Sequence, residues 1–505
     1  CSSGIAQQQN PRFAHPAVAI VARMPALMWF RNDLRLHDNA ALTWAAKRGP
    51  VVALLIDEPA PSPARPLGAA ATWWREQSIR ALAADLGRRG VPLLRRRGDA
   101  RTVLPELCDS LGVDAVSWSR RYHEPLRDID AEVKATLRDR GIDVASHPGF
   151  TLVEPWEVTT KAGDPFRVFT PFSEAARLQV RDDAPLPIPD LSGADVEPDE
   201  LGEAPSPAWA TGLAEHWAPE EAGARKRLEE FMGEISSYGA DRDVPAQDAT
   251  SHLSPHLASG DISPREIWAA AEEALDTPGP DGTLPPADDV EKFRDELLWR
   301  DFAWHRLFYN PELHRVNVRR QFDHFDWAWR DGELAEASAG GRDPRLPRDS
   351  SEQWLEHLGA WRSGTTGISL VDAGMRELWH TGYMHNRVRM VVGSFLTKNL
   401  GIHWRHGEEW FWDCLVDADP AANAFNWQWV AGCGDDAAPY FRIFNPEAQA
   451  KRFDPHGEYI ATWVPPLDPA MPAEPIVDLK HSRRAALDAY GEVKAHKNET
   501  PPAGT

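Results

Sequence analysis

ALMWFRNDLRLHDN, residues 26–39, sets five apolar residues directly against the polar run Arg31, Asn32, Asp33 and Arg35. A short apolar stretch that stops at a polar turn reads as a buried strand. The unit recurs: apolar runs at 51–56 (VVALLI), 91–94 (VPLL), 113–118 (VDAVSW) and 142–145 (IDVA) alternate with helix-period stretches near 39–48, 69–89, 101–111 and 125–140. Strand and helix in alternation predict right-handed βαβ crossovers on a doubly wound, Rossmann-like parallel sheet. Ligands of such sheets sit beyond the carboxyl ends of the strands, where Arg31, Asn32, Asp33 and Arg35 would face a ligand or an adjoining domain. A charged turn with Asp38 or Asn39 capping the next helix explains the run equally well.

Outward from that stretch, residues 1–23 lack a period and precede Met24, so they read as an N-terminal extension to an α/β domain at 24–175. Residues 176–219, rich in Pro, Asp and Glu, read as an interdomain linker. From 220 to 480 the pattern is helical, with segments at 222–236, 264–274, 289–309, 369–380 and 386–400 and loops at 277–289 and 331–350. This half is expected to be all-α. Residues 481–505 read as a polar, poorly ordered tail.

The chain has 505 residues, 55 basic and 77 acidic, for a net charge of −22. That balance excludes sequence-blind nucleic-acid binding over the whole surface and leaves room for a local basic patch. No apolar run reaches the roughly 18 residues of a membrane helix, and the four cysteines form no Cys-x-x-Cys pair. Neither a metal site, an iron–sulfur cluster nor a disulfide framework is expected, and a cytoplasmic monomer is. Tryptophan occurs 22 times against 7 tyrosines. A core built for volume alone favours Leu, Val and Phe, so the indoles are either packing residues or functional ones.

Tyr238 is followed by TSHLSPHLASGDIS at 250–263. Thr250, Ser251 and Ser254 stand at an expected helix start, where free N–H groups attract a pyrophosphate. DELLWRDFAWH at 295–305 puts Glu296, Trp299 and Arg300 on one helix face through i, i+3 and i, i+4 spacing; a surface ion pair beside a core Trp has the same pattern. Together these strings resemble the photolyase/cryptochrome family. TGYMHNRVRM at 381–390 and DADPAANAFNWQW at 417–429 extend the resemblance, which covers roughly 26–175 and 220–465.

The resemblance implies FAD in the helical domain, held by Tyr238, Thr250, Ser251, His252, Leu253, Ser254, Arg300, Asn386, Arg389, Asp417, Asp419 and Asn423. Asn386 and Asn423 would hydrogen-bond the isoalloxazine edge, and Arg389 oriented by Asp417 would favour the anionic reduced ring. The family's plant photoreceptors carry Asp where this chain has Asn423, and an amide cannot protonate the flavin, which favours the repair branch. Trp427, Trp404 and a surface Trp would form a wire for light-driven flavin reduction. Trp327 fits the distal place best, with Trp329 and Trp354 as competitors and Trp361 and Trp412 as core.

Trp299 and Trp429 would wall a cavity for a flipped-out base pair, with Glu296 on the base edge; Glu296, Trp299 and Asn423 form the implied catalytic set. Arg242, Arg387, Met390 and Gln449 would touch DNA, and Lys451 and Arg452 are either phosphate contacts or solvated charge. Met390 stands where enzymes acting on (6-4) photoproducts have a His-rich segment, and His385 reads as structural. The implied activity is light-dependent splitting of cyclobutane pyrimidine dimers in damaged DNA. A cryptochrome-like photoreceptor, a (6-4) photolyase and a redox flavoprotein unrelated to DNA are the alternatives. SRRYHEPLRD at 119–128 lacks the Asn-Glu pair typical of one folate site, so a second antenna chromophore of folate or deazaflavin type stays open, with Tyr122 and Glu124 as candidate lining residues.

Overall fold

The computed structural model describes residues 23–280, 282–335, 352–437, 441–465 and 474–495. Five parallel strands, β1 (Ala26–Phe30), β2 (Val51–Asp57), β3 (Leu93–Arg97), β4 (Ala115–Ser119) and β5 (Asp143–His147), form one sheet in the order β3-β2-β1-β4-β5. Side chains alternate along each strand. Leu27, Trp29, Val52, Leu54, Val116 and Trp118 fill one apolar layer, while Ala26, Met28, Phe30, Val51, Ala53 and Leu55 fill the other. With both faces covered by helices, the strands need apolar residues at every position, which is why they appear as continuous runs.

Beyond the sheet the chain is helical. Ala287–Tyr309, Pro420–Ala431, Trp404–Cys414, Ser369–Thr381 and Asn386–Ser394 surround two further apolar clusters. The helix expected over 386–400 ends at Ser394 and continues as a π-turn, Phe395–Asn399.

The polar run after β1 joins the two halves. Arg35 donates to the carbonyls of Gly260 (3.0 Å) and Gly149 (2.8 Å). Gly260 has φ +79°, and a Cβ there would lie 2.0 Å from the Asn32 carbonyl oxygen. Glu221 accepts the Leu36 and His37 backbone N–H groups. Asn39 caps the helix Ala40–Ala46.

Two stretches behave differently from their sequence pattern. Within 176–219, Leu186 and Ser192 accept hydrogen bonds from Asp38 and Val51, and Ala194 donates back to Val51, so this Pro-rich segment is fixed along the sheet by backbone bonds that need no apolar period. The tail from 481 requires correction. Leu479–Ala495 is a helix whose Ala486, Tyr490 and Val493 enter the main helical core. Tyr490 stacks on Phe441 with centroids 4.5 Å apart and planes at 12°. Three buried residues at helical spacing suffice to hold an otherwise polar helix.

Candidate functional site

Helix Asn386–Ser394 begins at His385, whose Nδ1 accepts the Arg387 N–H. Asn386 thereby starts the helix with its side chain exposed and without a hydrogen-bond partner among the described residues. Arg389, almost one turn on, donates Nη1 and Nη2 to Asp417 at 3.1 and 2.8 Å and Nε to the Met384 carbonyl at 2.7 Å. Ser254 donates its hydroxyl to the same carboxylate at 2.7 Å. Burial lowers the pKa of Arg389, but the charge of the adjacent Asp417 carboxylate, with its hydrogen bond, raises it by more, so the net shift is upward and the guanidinium stays cationic.

Asn423 turns its Nδ2 toward Glu408, 2.8 Å from Oε1 and 3.0 Å from the backbone oxygen. A carboxylate only accepts, so the amide nitrogen must face it and the Asn423 carbonyl oxygen is left for another partner. An unpartnered amide, a fixed guanidinium and a free amide oxygen form the donor and acceptor set that suits the edge of an isoalloxazine ring.

The remaining flavin candidates divide. Asp419 caps helix Pro420–Ala431 through Ala421 and Ala422 and accepts Trp304 Nε1 at 2.9 Å. Thr250 and Ser251 are held through their carbonyls by Arg227, His252 has φ +51°, and Leu253 is buried. Tyr238 packs edge-on to Phe231 and Phe293. Arg300 donates to the carbonyls of Phe150 (2.7 Å) and Leu257 (3.4 Å), away from the Arg389 pair, and burial lowers its pKa.

Trp427 packs against Gly407, about one helical turn after Trp404, and meets Phe411 and Trp361 edge-on at 5.0 and 6.2 Å. Trp404 is fully buried and donates Nε1 to Asn317 Oδ1 at 2.8 Å. His403, its neighbour, is flanked at 5.1 Å by both Trp327 and Trp329. Trp327 is 7% exposed and donates to the Thr397 carbonyl; Trp329 is half-buried under Arg405. Trp354 packs on His406 at 5.4 Å. Trp361 is completely buried.

Trp299 stacks on Phe169, centroids 3.6 Å apart and planes at 7°, and leans on Phe425 at 6.4 Å. Trp429, one turn on from Phe425 in the same helix, packs instead against the other helical cluster, so the structure shows no direct contact between the two proposed walls. Trp429 donates Nε1 to the Asp436 carbonyl. Arg242 is paired with Glu296 and Arg387 with Asp243. Met390 and Gln449 are half-buried, while Lys451 and Arg452 are exposed.

A cleft enclosing about 1250 Å³, open solvent included, lies between the domains. Its lining includes Arg31, Arg65, Trp74, Arg120, Tyr122 and Trp412. Tyr122 is buried with an unpartnered hydroxyl. Glu124 does not line the cleft; it is exposed at the start of helix Glu124–Asp139, since the chain turns outward there. Trp412 serves the cleft as well as the core. Sequence reading missed Arg65, Phe169, Gly407 and Glu408. Glu408 alone left a signal, a carboxylate in the aromatic run WFWD and its flank HGEE.

Among the described residues, no group of His, Cys, Asp and Glu is arranged to hold a metal ion, and no helix is long and apolar enough to cross a membrane. Residues 26–190 match the family described as DNA photolyase, and 293–474 the one described as FAD binding domain of DNA photolyase. The deoxyribodipyrimidine photo-lyase of Agrobacterium fabrum is 41% identical across 93% of this chain and 98% of its own length. Cryptochrome-1 of Arabidopsis thaliana is 32% identical across 92% of this chain and 66% of its own. A bacterial class III photolyase from Agrobacterium tumefaciens has a crystal structure that superposes with a TM-score of 0.83 at 39% identity, covering 95% of this chain and 100% of that one. By sequence, by fold and by matched domains, this chain belongs to the photolyase/cryptochrome family.

Proposed function

We propose that the protein is a deoxyribodipyrimidine photo-lyase that repairs cyclobutane pyrimidine dimers in damaged DNA under light. The observation that carries the reading is the unit Ser254–Asp417–Arg389, assembled from segments 163 and 28 residues apart beside the unpartnered Asn386. FAD, held by these residues, would supply the light-driven one-electron chemistry that splitting a dimer needs. Arg389 keeps a positive charge at the ring, Asp417 fixes its direction, and Asn386 and Asn423 orient the ring edge. Trp299 and Trp429 offer indole faces to the extruded bases, worth roughly 1–3 kcal/mol per base. Glu296, freed from Arg242 by the substrate, holds the base edge as negative charge develops. Trp427, Trp404 and Trp327 relay electrons inward during photoreduction.

The photoreceptor alternative draws on the similarity to Cryptochrome-1; Asn423, an amide that carries no transferable proton, supports repair instead. The interdomain cleft is where a second, light-harvesting chromophore would lie, among aromatic rings and paired arginines. The reading includes a cytoplasmic monomer, a setting in keeping with the buried thiols of Cys108, Cys414 and Cys433. Purified protein, reduced and illuminated with dimer-containing DNA, is expected to restore thymines, and no light-dependent restoration would overturn the proposal.

A further inference from the structure

Trp404 is sealed from water, and its N–H is answered by the side chain of Asn317, Oδ1 at 2.8 Å. Asn317 lies on the loop between helix Ala287–Tyr309 and the short turn Arg320–His324. Its Nδ2 donates to Asp323 Oδ1 at 2.8 Å, and Asp323 Oδ2 pairs with Arg320 at 3.0 Å. An indole N–H only donates and a carboxylate only accepts, so the amide serves both only with its oxygen toward Trp404 and its nitrogen toward Asp323. Gln428, fully buried, pins the same loop: it accepts the Val318 N–H at 2.9 Å and donates to the Leu313 and Val316 carbonyls at 2.6 and 2.9 Å. The backbone on either side of Asn317 is thus set by the residue that follows Trp427 in the chain.

We propose that Asn317 is a positioning residue for the electron relay: its oxygen, polarised by Asp323, holds the Trp404 ring and stabilises the positive charge that ring carries in transit, without accepting its proton. The inference rests on the reading of Trp404 as a relay member. In each passage Trp404 gives one electron to Trp427, which has just lost one to the flavin, and recovers one from Trp327; a thiol in solution makes good the last loss. Between the two transfers the ring is a buried cation, a state that apolar surroundings disfavour unless a hydrogen bond answers the charge. A hydrogen bond from a charged donor is roughly twice as strong as a neutral one, so the bond to Asn317 tightens as the electron leaves. The negative charge of Asp323 at the far end of the amide strengthens it further. An amide oxygen is too weak a base to remove the indole proton, so the charge stays mobile and passes on. His403, its ring 5.4 Å from that of Trp404, adds no competing charge, because burial pushes its pKa down to about 3.

The test uses full-length protein carrying FAD, with Asn317→Leu, Asp323→Asn and Trp404→Phe. Ultraviolet resonance Raman spectra taken in the dark read the indole N–H directly. The band lost in Trp404→Phe is expected at the hydrogen-bonded position in the parent and at the free position in Asn317→Leu. Flavin reduced per absorbed photon is expected to fall about fivefold in Asn317→Leu, the extra strength the bond gains with charge. Asp323→Asn keeps an acceptor for the amide but removes its charge, and should fall between. The Asp323 side chain is 39% exposed, so this variant covers the case in which Asn317→Leu fails to fold, and a merely structural bond would leave its yield at the parent's value. Parent-like yields in every folded variant at 317 and 323, with Trp404→Phe inactive, would overturn the proposal and leave the relay standing. A Trp404→Phe protein that photoreduces as well as the parent would overturn both.

Discussion

Gly407 lies within helix Trp404–Cys414, where alanine would ordinarily add about 1 kcal/mol of stability. The packing predicts the opposite sign. A Cβ at 407 would sit 2.1 Å from Trp427 Cη2, 2.5 Å from Cζ3 and 2.6 Å from Cζ2, against 3.4 Å for ordinary contact. The ring cannot retreat by the missing 1.3 Å, because it is 4% exposed and packed between Gly393, Phe411 and Trp361. Overpacking of a closed core costs about 1–3 kcal/mol, and this overlap belongs at the upper end. Gly407→Ala should therefore lose about 2 kcal/mol net, roughly a 30-fold drop in the folding equilibrium. Because the displaced ring is the proposed donor next to the flavin, photoreduction should slow in the same variant. Denaturant unfolding and the rate of flavin bleaching under blue light measure the two effects. A variant as stable as the parent, with unchanged photoreduction, would refute the reasoning.

Asp417→Ala leaves Arg389 without its partner and should release FAD, visible as loss of yellow colour on gel filtration. Trp427→Phe or Trp404→Phe should abolish photoreduction while chemically reduced enzyme still repairs, and the same exchange at Trp327, Trp329 and Trp354 identifies the distal member. Trp299→Ala should weaken damaged-DNA binding about 5- to 150-fold, for roughly 1–3 kcal/mol of stacking, whereas Glu296→Ala should lower repair per absorbed photon more than binding. Burial depresses the pKa of His406 to about 2, so below about 6.5 the unfolded chain gains a proton there that the folded chain refuses. The parent should accordingly lose stability relative to His406→Gln as pH falls from 6.5 toward 4, checked by thermal melts across that range.

The sheet was legible because parallel strands covered on both faces write themselves as apolar runs; β1 fell at 26–30 in both sequence and structure. The segments proposed to hold the flavin could be picked out because their residues lie within short motifs. Arg65 and Glu408 were not, being 343 positions apart with no pattern linking them. Phe169 was equally hidden, because nothing at 169 announces the indole at 299. The C-terminal helix was missed since its buried residues, Ser482, Ala486, Tyr490 and Val493, include few large apolar side chains to stand out against Lys480, Arg483 and Arg484.

The pairing of Arg242 with Glu296 and of Arg387 with Asp243 has a bearing on how the protein searches a genome. A phosphate approaching either arginine exchanges one anion for another, so few counterions are set free and ordinary duplex gives little return for contact. Under the proposed function, on a chain of net charge −22, encounters with intact DNA would be brief, and residence would be left to sites where a distorted base pair reaches the proposed walls Trp299 and Trp429. A weak grip on undamaged sequence keeps a scarce protein from being titrated by the vast excess of correct base pairs.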